Sequence, residues 1–467
     1  MTQFRLEKDS LGEVKVPSDA CYGAQTQRAI ENFDYSPNPL ASSFIATLLR
    51  IKAAAAMVNG ELGELPTSIA ESIKDAVEHL LTSSNWMQHF PVNVYQTGSG
   101  TSTNMNANEV IAHFVNHFNP SLNVHPNDHI NRGQSSNDVI PSCIQLAFAT
   151  QITDQLLPAL KQLTERLLQQ QSTTETIFKT GRTHLMDAMP LSVGQELATW
   201  RQQIIDAQER IVASLPRLLR LPLGGTAIGT GINRHAQYPE RICQQLTLDF
   251  ALPITPAENC AANMSAQDAT LEMHGQLKVL ATALIKISND LRWMNSGPES
   301  GLGEIALTPV QPGSSIMPAK VNPVILESIV MMCTQVLGND TTVTLANQSG
   351  NFQLNVMLPL IAQVSLTSTQ LLCDSVNALA DKVIGQFSIN QDLLAERLAK
   401  NPILVTALNP LIGYELAATI AKTAVAQQRT IIDVAEEMTD LSRAQLEQVL
   451  ALEHLAYPHR SDHESVD

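Results

Sequence analysis

Charge is scarce in this sequence of 467 residues. Asp, Glu, Lys and Arg make up 16% of it, where a soluble domain carries roughly a quarter, and the balance runs to a formal −16. With no surplus of cations to meet phosphates, nucleic acid is disfavoured as a partner. Close cysteine pairs are missing too. Cys21, Cys143, Cys243, Cys260, Cys333 and Cys373 include no C-x-x-C and no neighbours nearer than 17 positions, the pattern of reduced cytosolic thiols rather than of a disulfide scaffold. The opening MTQFRLEKDS holds no apolar stretch for a signal peptide, and no uncharged apolar run of about 18 residues is present to span a bilayer. These absences predict a soluble, cytoplasmic protein that makes no membrane contact. Strand-like alternation is scarce, and internal repeats and low-complexity tracts are missing. What the chain does have is apolar residues, 44% of the total, and self-association is the natural way to bury them. At roughly 100–200 residues per domain the length allows two to four domains and an ample core.

The apolar residues recur at helical spacing. Leu277, Leu280, Leu284, Ile287, Leu291 and Met294 return every three or four positions, the stripe of a buried seam, and predict a helix over 265–295 about 45 Å long. Ser265 with Asp268 reads as its capping box and Gly297-Pro298 as its stop. Leu156, Leu160, Leu163 and Leu167 share one face of a helix opening near Asn137, while Ile325, Ile329, Met332 and Val336 follow Pro323, which suits a first helical turn. Stretches 42–60 and 353–384 read as further helices, with Pro141, Pro158 and Pro359 bending or tolerated within these elements. After about 390, Asn401-Pro402 and Asn409-Pro410 break the long-rod pattern. The expectation is an all-α chain in three domains. Residues 1–136 mix short helices with polar, glycine-rich loops, 137–389 form a long-helix bundle, and 390–467 form a small helical domain. A bundle without activity would account for most of this.

Four polar islands interrupt the helices. In GSGTSTNMN, Gly98–Asn106, glycines such as Gly100 let backbone N–H groups approach a ligand, and Ser99, Thr101, Ser102 and Asn104 offer hydrogen bonds. It lacks the ending of a phosphate-binding loop and reads equally as a polar cap on the next helix. In HPNDHINRGQSSND, His125–Asp138, the H-x-x-D-H spacing invites a metal. Pro126 opposes a regular helix there, no third ligand cluster is evident, and the Ser and Asn surplus suits carboxylates better. Ligand contacts and helix capping by Ser135, Ser136 or Asn137 both remain open. GRTH, Gly181–His184, precedes a helix expected near Pro190, where a lone histidine is usually structural. In GSSIMPAKVNP, Gly313–Pro323, Lys320 and Asn322 stand just before a helix N-terminus, a placement that favours an anion. Its glycine-serine stretch is either a closing lid or a solvent loop.

Taken together and in this order, these motifs resemble the fumarase and aspartase superfamily, and most closely class II fumarate hydratase, or fumarase C. GSSIMPAKVNP matches the family's signature loop. GSGTSTNMN, HPNDHIN, QSSND and GRTHLMDAMPLSVGQE follow its order, and the likeness extends from EKDSLGEVKVP to LVTALNPLIGY. His184 favours fumarase, since aspartases typically carry glutamine there, and asparagine in place of His125. Gly98-Ser99-Gly100-Thr101 and Ser349-Gly350-Asn351-Phe352 are fumarase-like as well. Ala319, where fumarases usually have glycine, and His129 with STNMNANEV depart toward aspartase.

The resemblance implies reversible, stereospecific hydration of fumarate to L-malate, a step of the tricarboxylic acid cycle, through an aci-carboxylate intermediate. It implies no metal and no cofactor, and a homotetramer whose sites each draw on three subunits. Ser314 would take the C3 proton of malate, His184 would handle the C2 oxygen, and Glu327 would orient and polarise the histidine. Ser99, Gly100, Thr101, Ser135, Ser136, Asn137, Thr183, Ser315, Lys320, Val321 and Asn322 would bind the dicarboxylate. A second dicarboxylate site would involve His125, Pro126, Asn127 and Asp128, although Leu122, Asn123 and Val124 are neutral where fumarases often have basic residues. Aspartate ammonia-lyase is the alternative activity, and a non-catalytic bundle is the other.

Overall fold

A computed structural model describes residues 3–313, 316–317 and 320–458. Helices dominate, as the apolar spacing predicts, but the chain opens with a ribbon: β1 (Phe4–Asp9) pairs antiparallel with β2 (Gly12–Pro17), Asp9 opposite Gly12. The alternation in FRLEK and EVKV carried that signal. Then follow α1 (Ala24–Asn32), α2 (Ser42–Glu61), α3 (Thr67–Thr82), α4 (Thr101–Phe118), α5 (Ser136–Gln151) and α6 (Leu157–Ser172). A second antiparallel ribbon, β3 (Phe178–Thr183) with β4 (Met186–Ser192), leads into α7 (Val193–Leu218). The rest comprises β5 (Arg220–Leu221), α8 (Tyr238–Phe250), β6 (Thr255–Pro256), α9 (Cys260–Ser265), α10 (Asp268–Met294), β7 (Ile305–Ala306), α11 (Val324–Asn347), α12 (Leu358–Lys382) and β8 (Ser388–Ile389), with β5 beside β6 and β7 beside β8. Short helices close the chain: α13 (Gln391–Ala399), a 3₁₀ turn at Pro402–Leu408, α14 (Asn409–Ile412), α15 (Tyr414–Gln427), α16 (Ile431–Met438), α17 (Arg443–Val449) and α18 (Leu452–Ala456). The fold is helical, with four two-stranded sheets among the described residues. No helix among the described residues is long and apolar enough to cross a membrane.

Two compact units emerge. The first holds the chain up to Pro158 with Ala207–Ala281 and Cys333–Cys373, and the second holds Ala159–Asp206, Thr282–Met332 and the chain from Asp374 onward. In the first, α2 packs on α3, α4, α5 and α8. In the second, Leu408, Ile420, Ala435 and Leu446 are fully buried and form the core under α13–α18.

Leu277, Leu280, Leu284, Ile287 and Leu291 are all fully buried, as are Leu156, Leu160 and Leu163. The latter seam crosses a single π turn, Ile152–Leu156, which joins α5 to α6 and sets Pro158 in the first turn of α6, where its missing N–H costs little. In α11 Ile329 and Val336 are buried as expected, but Leu326 and Cys333 complete the stripe in place of Ile325 and Met332, which are half-buried. This helix is apolar on several faces, so spacing alone does not choose one. The predicted Ser265 capping box does not form. Ser265 closes α9, Ala266 is extended, and the Asn347 side chain of α11 accepts from Gln267 N at 2.5 Å and donates to Asp268 Oδ1 at 2.8 Å. A distant amide thus caps α10. Helix α12 starts at Leu358 rather than 353, with Pro359 in its first turn.

Candidate functional site

Two helix starts meet in the first unit. Gly100 precedes α4 with φ +73°, and a Cβ there would lie 2.9 Å from Ile140 Cγ2 of α5, so glycine permits both the turn and the close approach. At Gly98 a Cβ would fall 1.7 Å from the Val356 carbonyl oxygen, and the Gly98 carbonyl accepts from Leu358 N at 3.0 Å. Ser99 Oγ and Thr101 Oγ1 lie 2.7 Å apart. Ser135 is the N-cap of α5: its hydroxyl accepts from Asn137 N at 3.2 Å, and Asp138 Oδ1 accepts from Ser135 N at 2.9 Å. Capping therefore occupies Ser135, while Ser136 is buried and Asn137 Nδ2 reaches the Ala227 carbonyl at 2.8 Å. The structure thus brings Ser99, Gly100 and Thr101 beside α5, where the dipoles of two helix N-termini favour an anion.

Asp138, not selected from sequence as a functional residue, organises this corner. Its Oδ2 accepts from Gly224 N at 3.0 Å and Thr226 N at 2.9 Å. Burial pushes its carboxyl up, against the backbone N–H groups of Ser135, Thr226 and Gly224 and the charge of Lys52. The S-x-x-D pattern of a capping box was its sequence signal.

His125 caps a five-residue π turn, Pro126–Ile130, in which Pro126 takes the first position, so the proline that opposes a regular helix starts a wide turn instead. His125 Nδ1 accepts from Asp128 N at 3.3 Å and lies 3.2 Å from Asp128 Oδ2, while His129 Nδ1 accepts from His125 N at 2.8 Å. His125, Pro126 and Asn127 line a cavity of about 760 Å³ with Arg5, Lys8 and His117, so basic residues distant in sequence stand where the local stretch 122–124 supplies none. Among the described residues no group of three metal-ligating side chains forms.

In the second unit GRTH forms the end of a hairpin. The helix expected near Pro190 begins at Val193, and Pro190 lies in β4 opposite Thr180. His184 and Leu185 form a two-residue turn with φ +56° and +61°, the handedness that matches strand twist. His184 is exposed, and among the described residues nothing hydrogen-bonds its ring. Thr183 pairs with Met186 at the base of this turn. Buried charge anchors the hairpin: Lys179 Nζ lies 2.7 Å from Glu304 Oε2 and 2.9 Å from Glu196 Oε2, and Arg182 Nη2 lies 2.6 Å from Glu304 Oε1. Nothing local in the sequence flags Glu304.

The signature loop closes at a neck. Gly313 N donates to the Lys320 carbonyl at 3.0 Å and Asn322 Nδ2 donates to the Gly313 carbonyl at 2.6 Å, while a Cβ on Gly313 would fall 2.2 Å from the Lys320 oxygen. Ser314, Ser315 and Ala319 lie outside the described residues. Lys320, Val321, Asn322 and Glu327 line a cavity of about 1080 Å³ with Arg292 and Trp293. Glu327 sits in the first turn of α11, one helical turn from Pro323.

A lyase family model matches residues 12–338, and a fumarase C C-terminus model matches 404–457. The chain is similar to fumarate hydratase class II 2 of Pseudomonas aeruginosa, with 52% identity over 97% of this chain and 99% of the relative. It is also similar to fumarate hydratase class II of Xylella fastidiosa, with 51% identity over 96% and 94%. Among solved structures, the class II fumarase of Schistosoma mansoni superposes with a TM-score of 0.95 at 36% identity, covering 98% of this chain and 100% of that one. With this likeness over nearly its whole length, the chain belongs to the class II fumarate hydratase family of lyases.

Proposed function

We propose that the protein is a fumarate hydratase, adding water reversibly across fumarate to give L-malate. One observation carries the choice within the superfamily. His184, at the position where aspartases typically carry glutamine, stands exposed on a hairpin turn, and among the described residues nothing hydrogen-bonds its imidazole, which leaves it free to exchange a proton with the C2 oxygen.

In the malate-to-fumarate direction Ser314 takes the C3 proton, and the electrons spread onto the adjacent carboxylate as an aci-carboxylate. Loss of the C2 hydroxyl, protonated by His184, then forms the double bond and releases water. Hydration is the reverse. Lys320, Asn322 and the α11 N-terminus stabilise the extra negative charge, and Ser99, Thr101, Asn137, Thr183 and Ser315 hold the carboxylates. Glu327 orients and polarises the histidine. Gly100, Ser135, Ser136 and Val321 shape the backbone of the pocket. The serine needs N–H groups and nearby positive charge to act as a base.

The same proposal includes a cytoplasmic homotetramer in the three-part division at 136 and 389, with Thr101, Asn137, His184 and Ser314 supplied to one ligand by different chains. It also includes a second dicarboxylate site at His125–Asp128, and catalysis without added metal or cofactor. Chelator-treated protein incubated with fumarate should form L-malate while light scattering reports a tetramer. No malate, or an active monomer, would refute the respective part.

A further inference from the structure

In helix α2 the stretch FIATLLRIKAAAAMV carries only two charged residues, Arg50 and Lys52, and Lys52 is fully buried. Its Nζ donates to Asn131 Oδ1 at 2.9 Å and Gln134 Oε1 at 3.0 Å. Asn104 and Asn108 of α4 point their amide nitrogens at the same Asn131 oxygen, at 3.2 and 3.3 Å, leaving their own buried oxygens without a donor among the described residues. Asn131 Nδ2 in turn donates to the Gln134 carbonyl at 3.1 Å, and Gln134 Nε2 to the Ile130 carbonyl at 3.1 Å. Three donors thus converge on one oxygen. The amine closes segment 131–134, which runs directly into the Ser135 cap and Asn137.

Resting on the fumarate hydratase assignment, we propose that Lys52 is a positioning residue that fixes Gln134–Asn137 for dicarboxylate binding and whose ammonium adds to the positive potential felt there. A purely structural core position would be filled more cheaply by an apolar side chain, because a buried amine pays desolvation and here meets only neutral amide acceptors. Burial brings the Lys52 amine down to about 7, against the attraction of Asp138 and Cys143. Both of those groups are on α5. From α3, α4, α8 and the turn Pro126–Ile130, which also pack on α2, no titratable group among the described residues shifts it. The Cys143 thiol, itself pushed well up by burial, stays neutral across this range. A dianion therefore meets a charged Lys52 below neutrality and a neutral one above it, so affinity should weaken as pH rises through about 7.

The test is steady-state kinetics with L-malate from pH 6 to 9 on the wild type, Lys52→Met and Gln134→Glu. In the wild type KM should rise about tenfold across the Lys52 transition, as expected for losing one nearby opposite charge. Lys52→Met should start with the raised KM, lose that part of the pH dependence, and keep kcat within about threefold, since the residue touches no reacting atom. Gln134→Glu gives the amine a carboxylate partner and should move the transition to higher pH, a readout available even where Lys52→Met fails to fold. Wild-type KM and an unaltered pH profile in Lys52→Met, or an unmoved transition in Gln134→Glu, would overturn the proposal. Should the wild type form no malate, the activity assignment fails separately, and amide hydrogen exchange over 131–138 still decides. Faster exchange in Lys52→Met supports the positioning role and identical protection refutes it.

Discussion

Replacing Glu304 should loosen the hairpin that carries His184, and the size of the effect follows from its partners. The carboxylate is 1% exposed and faces two cations, Lys179 at 2.7 Å and Arg182 at 2.6 Å. Glu304→Leu leaves Lys179, itself 2% exposed, with Glu196 at 2.9 Å as its remaining carboxylate. Breaking a buried pair by removing one partner costs about 3–5 kcal/mol, and the retained Glu196 contact places this case at the lower end, about 3 kcal/mol. Glu304→Gln keeps the volume and one acceptor oxygen and should cost about 1.5–3 kcal/mol, the worth of hydrogen bonds to a charged group. The double variant Glu304→Leu with Lys179→Met removes the stranded charge and should recover stability relative to Glu304→Leu alone. It should not recover turnover, because Arg182 still lacks its anchor and a misplacement of about 1 Å at a reacting group costs about 100-fold. Urea unfolding and kcat on the three proteins read both effects. Glu304→Leu within about 0.5 kcal/mol of the wild type, the range of surface substitutions, would refute the anchoring role.

Ser314→Ala should abolish most turnover and the exchange of the malate C3 proton with solvent, whereas His184→Asn should lose net dehydration but retain some exchange; near-normal turnover in Ser314→Ala would leave His184 as the base. Gly98→Ala should destabilise the protein by about 1–3 kcal/mol through overpacking, because the added methyl meets the Val356 carbonyl at 1.7 Å, and an unchanged urea midpoint would contradict that crowding. Acid should weaken the fold through His274, which lies between Asp340 Oδ1 at 3.1 Å and Ser368 Oγ at 2.9 Å. Burial lowers the affinity of His274 for a proton, despite Asp340, and burial does the same to His89 and His113. The unfolded chain then binds more protons as pH falls below the ordinary histidine value of 6.5, so stability should drop over that range. A urea midpoint flat from pH 7 down to 5.5 would contradict it.

The long helices were legible because burial periodicity is local: every third or fourth residue of the Leu277–Leu291 seam is buried. The GRTH hairpin was not, since LMDAMPLS does not alternate cleanly and Pro190 invites a helix start. Its stability comes from Glu304 and from Asn401, whose amide reaches the Ala188 carbonyl at 2.9 Å, residues more than 100 positions away. The capping of α10 by Asn347 escaped local reading for the same reason. At the site, the candidate residues were visible as polar islands and Asp138 as the end of an S-x-x-D capping box, while Lys52 and Glu304 meet their partners only through contacts that no short window contains.

Hydration and ammonia addition would give different products from the same fumarate. Purified protein given fumarate with a saturating concentration of ammonium in the same tube, its products resolved by NMR, tests that choice most directly. The structure predicts L-malate as the sole product, with His184→Asn forming almost none. Aspartate without malate from the wild type would contradict it.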